Sequence, residues 1–146
     1  MIDASVVTKW FVEENYSDIA LTLRDDYVSQ KLKVIVPQIA VYEVINALKY
    51  SHSFGTKDMT EVADALRGYQ LIENPLDGPL VHETIKLAMD GGITVFDAVY
   101  VAIGEIRRLP VYTADEGLFR KLPDHPFLQH IKYYHAGKPV KAKKIQ

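Results

Sequence analysis

Val111-Tyr112-Thr113-Ala114-Asp115 is the stretch on which the fold turns. Its first three residues are β-formers and read as a short strand. Asp115 then opens a segment to about Leu122 that reads as a helix, with the aspartate well placed to cap its first amides. A strand that runs straight into a helix is the repeating unit of parallel α/β proteins. The N-terminus repeats it. Met1-Ile2 reads as the end of a strand, Asp3 stands at the junction, and Ser5 to Val12 reads as a helix with Val6, Val7, Trp10 and Phe11 at helical spacing.

Working outward, Ser17 reads as the N-cap of a helix to about Gln30, and Lys33 to Val36 as a strand stopped by Pro37. Gln38 to about Ser53 reads as a strongly apolar, largely buried helix ended by Gly55. Helices follow over Thr56 to Leu71, Leu80 to Met89 and Thr94 to Arg107, with Asn74-Pro75 and Gly91-Gly92 as punctuation. Ile131 to Tyr134 reads as the last strand. Short apolar strands alternating with helices predict an α/β fold: a parallel sheet covered on both faces.

The length of 146 residues suits one domain, expected over 1–137, followed by a basic, frayed tail over 138–146 that holds four lysines. Apolar residues make up 48% and charged residues 25%, the balance of a globular chain. The absence of cysteine excludes disulfides, thiolate zinc sites and a cysteine nucleophile. No apolar run reaches the ~18 residues of a membrane span and Met1 to Ser5 shows no signal-peptide pattern, so the expectation is a cytoplasmic protein without a membrane partner. A net charge of −2 speaks against nucleic-acid binding by bulk electrostatics, and less against a nuclease, whose carboxylates stay negative until a metal neutralises them. Walker A, G-x-G-x-x-G and G-x-S-x-G motifs are absent. The five histidines show no metal-ligand spacing and read as turn or surface residues.

Four acids are out of place. Asp3 and Asp115 each follow a strand and open a helix. Capping explains either one alone, but two parallel strands bring both to the same sheet edge, where ligands of open α/β folds bind. Glu43 sits inside the apolar run Ile39 to Leu48, where an unpaired carboxylate is costly; a buried ion pair with a Lys or Arg, or a bond from Asn46, would compensate it. Asp97 is the one charge in Val95 to Ile103. Thr94-x-x-Asp97 resembles a capping box, which leaves the apolar surroundings unexplained. A hard divalent cation held by carboxylate oxygens accounts for all four.

These residues resemble a known family. Met1 to Phe11, Pro37 to Leu48, Thr94 to Ile103 and Val111 to Asp115 look like the four motifs of PIN-domain proteins, in order, and in particular of the VapC toxins of prokaryotic toxin–antitoxin pairs. The resemblance spans about Met1 to Tyr134. It departs from the family in the first strand, where only Met1 and Ile2 precede Asp3. It implies a three-layer α/β/α sandwich around a central parallel sheet. It also implies Mg²⁺ or Mn²⁺, cleavage of single-stranded RNA to 5′-phosphate and 3′-hydroxyl ends, frequent homodimers and a cognate antitoxin over the active site. Asp3, Glu43, Asp97 and Asp115 match the family's acids, Thr113 a threonine that accompanies the last acid, and Asn46 a polar position after the glutamate; Ser5 is a further supporting residue.

Lys9, Lys49, Arg107, Arg108, Arg120 and Lys121 are candidates to meet RNA phosphates. The amphipathic helices over Thr56 to Leu71 and Leu80 to Met89 are candidate homodimer faces. Two alternatives share the fold: a non-toxin RNA-processing nuclease, and a catalytically silent scaffold for RNA or protein.

Overall fold

A computed structural model describes residues 1–51 and 53–138. The elements run α1 (Ala4–Thr8), α2 (Ser17–Val28), β1 (Ile35–Pro37), α3 (Ala40–Tyr50), α4 (Thr56–Gly68), β2 (Ile72–Asn74), α5 (Gly78–Gly91), α6 (Val95–Arg107), β3 (Val111–Thr113), α7 (Glu116–Lys121) and β4 (Leu128–His130), then a 3₁₀ turn over Ile131–Tyr133. All strand pairings are parallel: β1 with β2, β3 with β4. The N-terminal segment joins the second pair through the bridge of Ile2 to Tyr112, in which the Tyr112 amide donates to Met1 O (3.1 Å) and the Asp3 amide to Tyr112 O (2.9 Å). Short though it is, this first strand is registered against β3 at the residue before Asp3.

The core holds Ile2, Val6 and Val7 from the N-terminal unit, Val34 and Val36 around β1, Val44 and Leu48 from α3, and the Ala98 to Ile103 stretch of α6, all buried. Helix α6 pairs with α5 and also packs on β1 and β3. Gly104 makes its approach to β3 possible: a Cβ there would collide with Val111 Cγ2 and press on the Leu109 carbonyl. No single helix among the described residues is long and apolar enough to cross a membrane.

Several sequence expectations are corrected. The last strand is Leu128–His130, and Ile131 to Tyr133 is a 3₁₀ turn; Leu128 pairs with Val111 and His130 with Thr113, so the ladder with β3 sets the strand's place in a stretch that mixes polar and apolar residues on both sides of the boundary. Strand β2 was not anticipated, because three half-open residues carry no alternating signal. Ser17 is the first helical residue rather than the cap. Tyr16 caps with left-handed backbone (φ 67°), while the Ser17 hydroxyl donates to Val12 O and accepts from the Glu14 amide. Helix α3 buries one stripe, Ala40, Val44 and Leu48, and exposes Tyr42, Asn46 and Tyr50. His130 is fully buried against Tyr16 and Phe119, and His125 is largely buried beside Glu105, so neither is a surface residue. His52 and all but the first residue of the expected tail lie outside the described residues.

Candidate active site

The strand-to-helix junctions hold Asp3 and Asp115 in different ways. Asp3 has the backbone position of the α1 N-cap, yet its side chain caps nothing. Its Oδ2 accepts from the Ser5 hydroxyl (2.7 Å) and the Thr113 hydroxyl (2.7 Å). Those hydroxyls are fed in turn by the β3–α7 connection: the Ala114 amide donates to Ser5 Oγ (2.9 Å) and the Asp115 amide to Thr113 Oγ1 (2.9 Å). Ser5 and Thr113 therefore tie the two sheet-edge acids into one unit. Asp115 does cap its helix, its Oδ1 accepting from the Gly117 (2.7 Å) and Leu118 (3.0 Å) amides.

The other two acids come from helices. The Thr94 hydroxyl accepts from the Asp97 amide (3.0 Å) and donates to Asp97 Oδ2 (2.8 Å). Glu43 is half-buried and Tyr100, one turn beyond Asp97, donates its hydroxyl to Glu43 Oε2 at 2.6 Å. The buried ion pair considered for Glu43 is not formed among the described residues, and Asn46 is exposed without a bond to it. Tyr100 is the partner that sequence reasoning missed; its signal was a phenol three residues after an acid on an otherwise apolar helix face.

One rule covers all four. Each carboxylate is held through a single oxygen, and its second oxygen (Asp3 Oδ1, Glu43 Oε1, Asp97 Oδ1, Asp115 Oδ2) accepts no hydrogen bond among the described residues. None pairs with a Lys or Arg there. Their charges act on one another. Burial raises the Asp3 carboxyl above the ordinary range against the pull of its two hydroxyls, and Asp97 and Asp115 add to the rise. Burial likewise pushes Glu43 to about 7, against the Tyr100 bond and helped by Asp3 and Asp97. This is negative charge without a counter-charge, in hard oxygen donors that suit Mg²⁺ or Mn²⁺. No group of three or more acidic or histidine side chains among the described residues is placed to hold a metal ion. A cation that keeps several waters is typically held through one or two carboxylates.

The candidate cations fare unevenly. Lys9 is buried and paired with Glu14 at 3.3 Å, so it is no free phosphate contact. Arg107 is engaged by Asn74 Oδ1 (2.6 and 3.1 Å). Lys49, Arg108, Arg120 and Lys121 are exposed, with no ion pair among the described residues; Lys49 Nζ lies 5.3 Å from the Tyr50 ring centre. A groove of about 820 Å³ with Ile39, Tyr42, Leu66, Phe96 and Val99 in its lining contains none of the four acids.

The sequence profile of the PIN domain matches residues 1–124. The chain belongs to the PIN-domain family. This PIN chain is 28% identical over 127 residues to Ribonuclease VapC3 of Pyrobaculum aerophilum, covering 84% of this chain and 94% of that protein. It is 26% identical over 97 residues to Exonuclease VapC9 of the same organism, covering 66% and 73%. Among solved structures it resembles a toxin–antitoxin complex from Klebsiella pneumoniae (TM-score 0.64, 14% identity, 89% of this chain and 95% of that one). It also resembles the crystal structure of PAE2754 from P. aerophilum (TM-score 0.61, 21% identity, 90% and 87%). These two likenesses establish the fold, the PIN α/β sandwich with parallel strands that the motif order implied.

Proposed function

We propose that this PIN-domain protein is a divalent-metal-dependent ribonuclease that hydrolyses RNA phosphodiester bonds, and that it is the toxin of a type II toxin–antitoxin pair. The observation that carries the reading is the set of four carboxylates, each clamped through one oxygen, with the other unclaimed and no cation paired with them among the described residues. The name of the relative Ribonuclease VapC3 supports the ribonuclease assignment and that of Exonuclease VapC9 a nuclease, and the toxin–antitoxin complex among the structural neighbours supports the toxin.

Asp3, Asp97 and Asp115 would hold Mg²⁺ or Mn²⁺, with Glu43 completing the site or orienting the attacking water. When bound, the cation activates water and offsets charge on the phosphoryl and leaving oxygens. Ser5 and Thr113 hold Asp3 in one rotamer, Thr94 does so for Asp97, and the α7 amides fix Asp115. This pre-organisation spares the site a rearrangement during the reaction. Exposed Arg120 and Lys121, on the helix that Asp115 opens, together with Lys49, would meet the RNA backbone. The antitoxin is the protein partner, and the structural neighbour from K. pneumoniae, itself a toxin–antitoxin complex, supports it. Homodimerisation would use the surfaces of α4 and α5, where Ile85 and Met89 of α5 stand exposed. The domain is taken to end near 137, and the protein to act in the cytoplasm.

The test incubates purified protein with a pool of single-stranded and structured RNAs in Mg²⁺, Mn²⁺ or EDTA, beside Asp97→Asn. Cleavage that EDTA and the substitution both abolish is the expected result. Equal degradation by both proteins marks a contaminant, and no cleavage by either favours the silent scaffold.

A further inference from the structure

Each of the two acids that come from helices has an exposed aromatic ring just before it in the chain. Tyr42 precedes Glu43 on α3 and Phe96 precedes Asp97 on α6, with 73% and 57% of their surfaces open. Neither ring stacks on another among the described residues, and the Tyr42 hydroxyl makes no hydrogen bond there. Consecutive side chains of a helix point about 100° apart. Glu43 thus turns to Tyr100, while Tyr42 and Ile39, three residues apart, line the groove of about 820 Å³. On α6, Phe96 and Val99, also three residues apart, line the same groove. On both helices, groove and acid are one residue apart. The lining holds one cation, Arg67, and one anion, Glu73, among the described residues, so its charge is balanced. The side-chain amides of Gln38 and Gln70 also line it and form no hydrogen bonds there. A cavity of this size can bury a small flat group, and its neutral aromatic walls and spare amides match one that is uncharged, with donors and acceptors at its edges.

We propose that Tyr42 and Phe96 form the platform on which an unpaired base of the RNA strand stacks, beside the phosphodiester at the acids. The inference rests on the ribonuclease reading and requires no particular arrangement of metal. Unpaired bases are recognised by stacking on aromatic rings and by hydrogen bonds to edges that a duplex hides. Every base has a π face, so the platform selects single strands over duplexes rather than one sequence. One base on one ring contributes roughly tenfold in affinity. An apolar segment of a protein partner is the competing occupant, and it needs no ring, because aliphatic side chains pack such a groove as well.

The test uses the full-length protein and an unstructured, dye-labelled RNA of about a dozen nucleotides. Anisotropy gives its Kd, and single-turnover cleavage in Mn²⁺ gives the rate at saturation. The variants are Tyr42→Leu, Phe96→Leu, Tyr42→Phe and Phe96→Trp, each checked for folding by circular dichroism. Leucine keeps apolar bulk and removes the π face. Both leucine variants should raise Kd about tenfold and hold the saturated rate within about threefold, whereas Y42F and F96W, which keep a ring, should retain binding. A Kd unchanged in both leucine variants, with cleavage intact, would overturn the platform, leave the ribonuclease reading standing and give the groove to a protein partner. Wild type that neither binds nor cuts the RNA would sink both readings. A second measurement needs only the wild type. One abasic residue moved along the RNA should raise Kd about tenfold at one or two positions beside the cleaved bond, and a flat profile would overturn the inference.

Discussion

Asp26 and Asp3 are both buried aspartates, and they behave in opposite ways. Asp26 has both oxygens occupied, Oδ2 by the Tyr134 hydroxyl (2.6 Å) and Oδ1 by the Lys31 ammonium (3.0 Å). The Tyr134 bond and then Lys31 hold its carboxyl below the ordinary range. Asp3 has hydroxyls on one oxygen, nothing on the other and acids for neighbours, and burial holds its carboxyl above the range. Both pin distant parts of the chain together, since Asp26 ties α2 to Tyr134 and Asp3 ties α1 to β3. The difference is a counter-charge, supplied by the fold at Asp26 and missing at Asp3 among the described residues. Burial of an acid therefore says little about function until its partners are counted.

The comparison can be broken most directly by activity. Asp3→Asn and Asp97→Asn should each lower RNA cleavage by roughly 10³-fold or more, since each removes a charge that would hold the metal, while Asp26→Asn stays within about threefold. Single-turnover rates on one defined RNA decide this, and a comparable loss in D26N would erase the distinction. Stability gives the next largest effect. Mn²⁺ at about 100 times its Kd should stabilise the wild type by about 2.7 kcal/mol, read as a rise in Tm that D3N lacks.

A third test uses pH in the presence of EDTA. The folded protein holds the Glu43 proton up to about 7, against 4.5 when unfolded, so stability must fall as pH rises between those values. Allowing for solvent screening of a half-buried group, the loss is about 1–2 kcal/mol, and Glu43→Gln should flatten the curve. Asp3 acts in the same direction from its ordinary value upward. Asp26 has the opposite sign, its stabilisation being complete above its ordinary value and lost as pH falls through its lowered one. Thermal melts across pH 3–8 separate the two. At fixed pH 7 in EDTA, D3N should raise Tm, because an amide oxygen still accepts from Ser5 and Thr113 without the charge, whereas D26N should lower it by about 5 °C. The smallest effect is expected at the rim, where Arg120→Ala should raise KM for RNA by about two- to threefold and leave kcat alone.

Much of the candidate site was legible before the structure. The four acids stood out because each broke a local pattern: two ended strands, and two interrupted apolar helix faces. Cap geometry was readable too, and Asp115 and Thr94 cap as their positions suggest. The misreadings share one cause. Lys9 looked like a candidate phosphate contact, and Asn46 like a possible partner of Glu43, because a sequence shows which side chains need partners but not which are in reach. The burial of His130 and the strand at Ile72–Asn74 escaped notice for the same reason, since both depend on neighbours more than 15 residues away in the chain.

By itself, the sequence determined the alternation of strands and helices, the four candidate acids and the delivery of two of them, Asp3 and Asp115, to one edge of a parallel sheet, because periodicity and chain direction are local properties. Local caps settle which oxygen is spent at Asp97 and Asp115, while only the tertiary structure decided which oxygen of Asp3 and of Glu43 is spent and which is free. That depends on Ser5 meeting Ala114, Thr113 meeting Asp3 and Tyr100 meeting Glu43, contacts that link residues 57 to 110 positions apart. Hydrogen bonds are directional and short-ranged, so they form only once packing has set the backbones to within a fraction of an ångström.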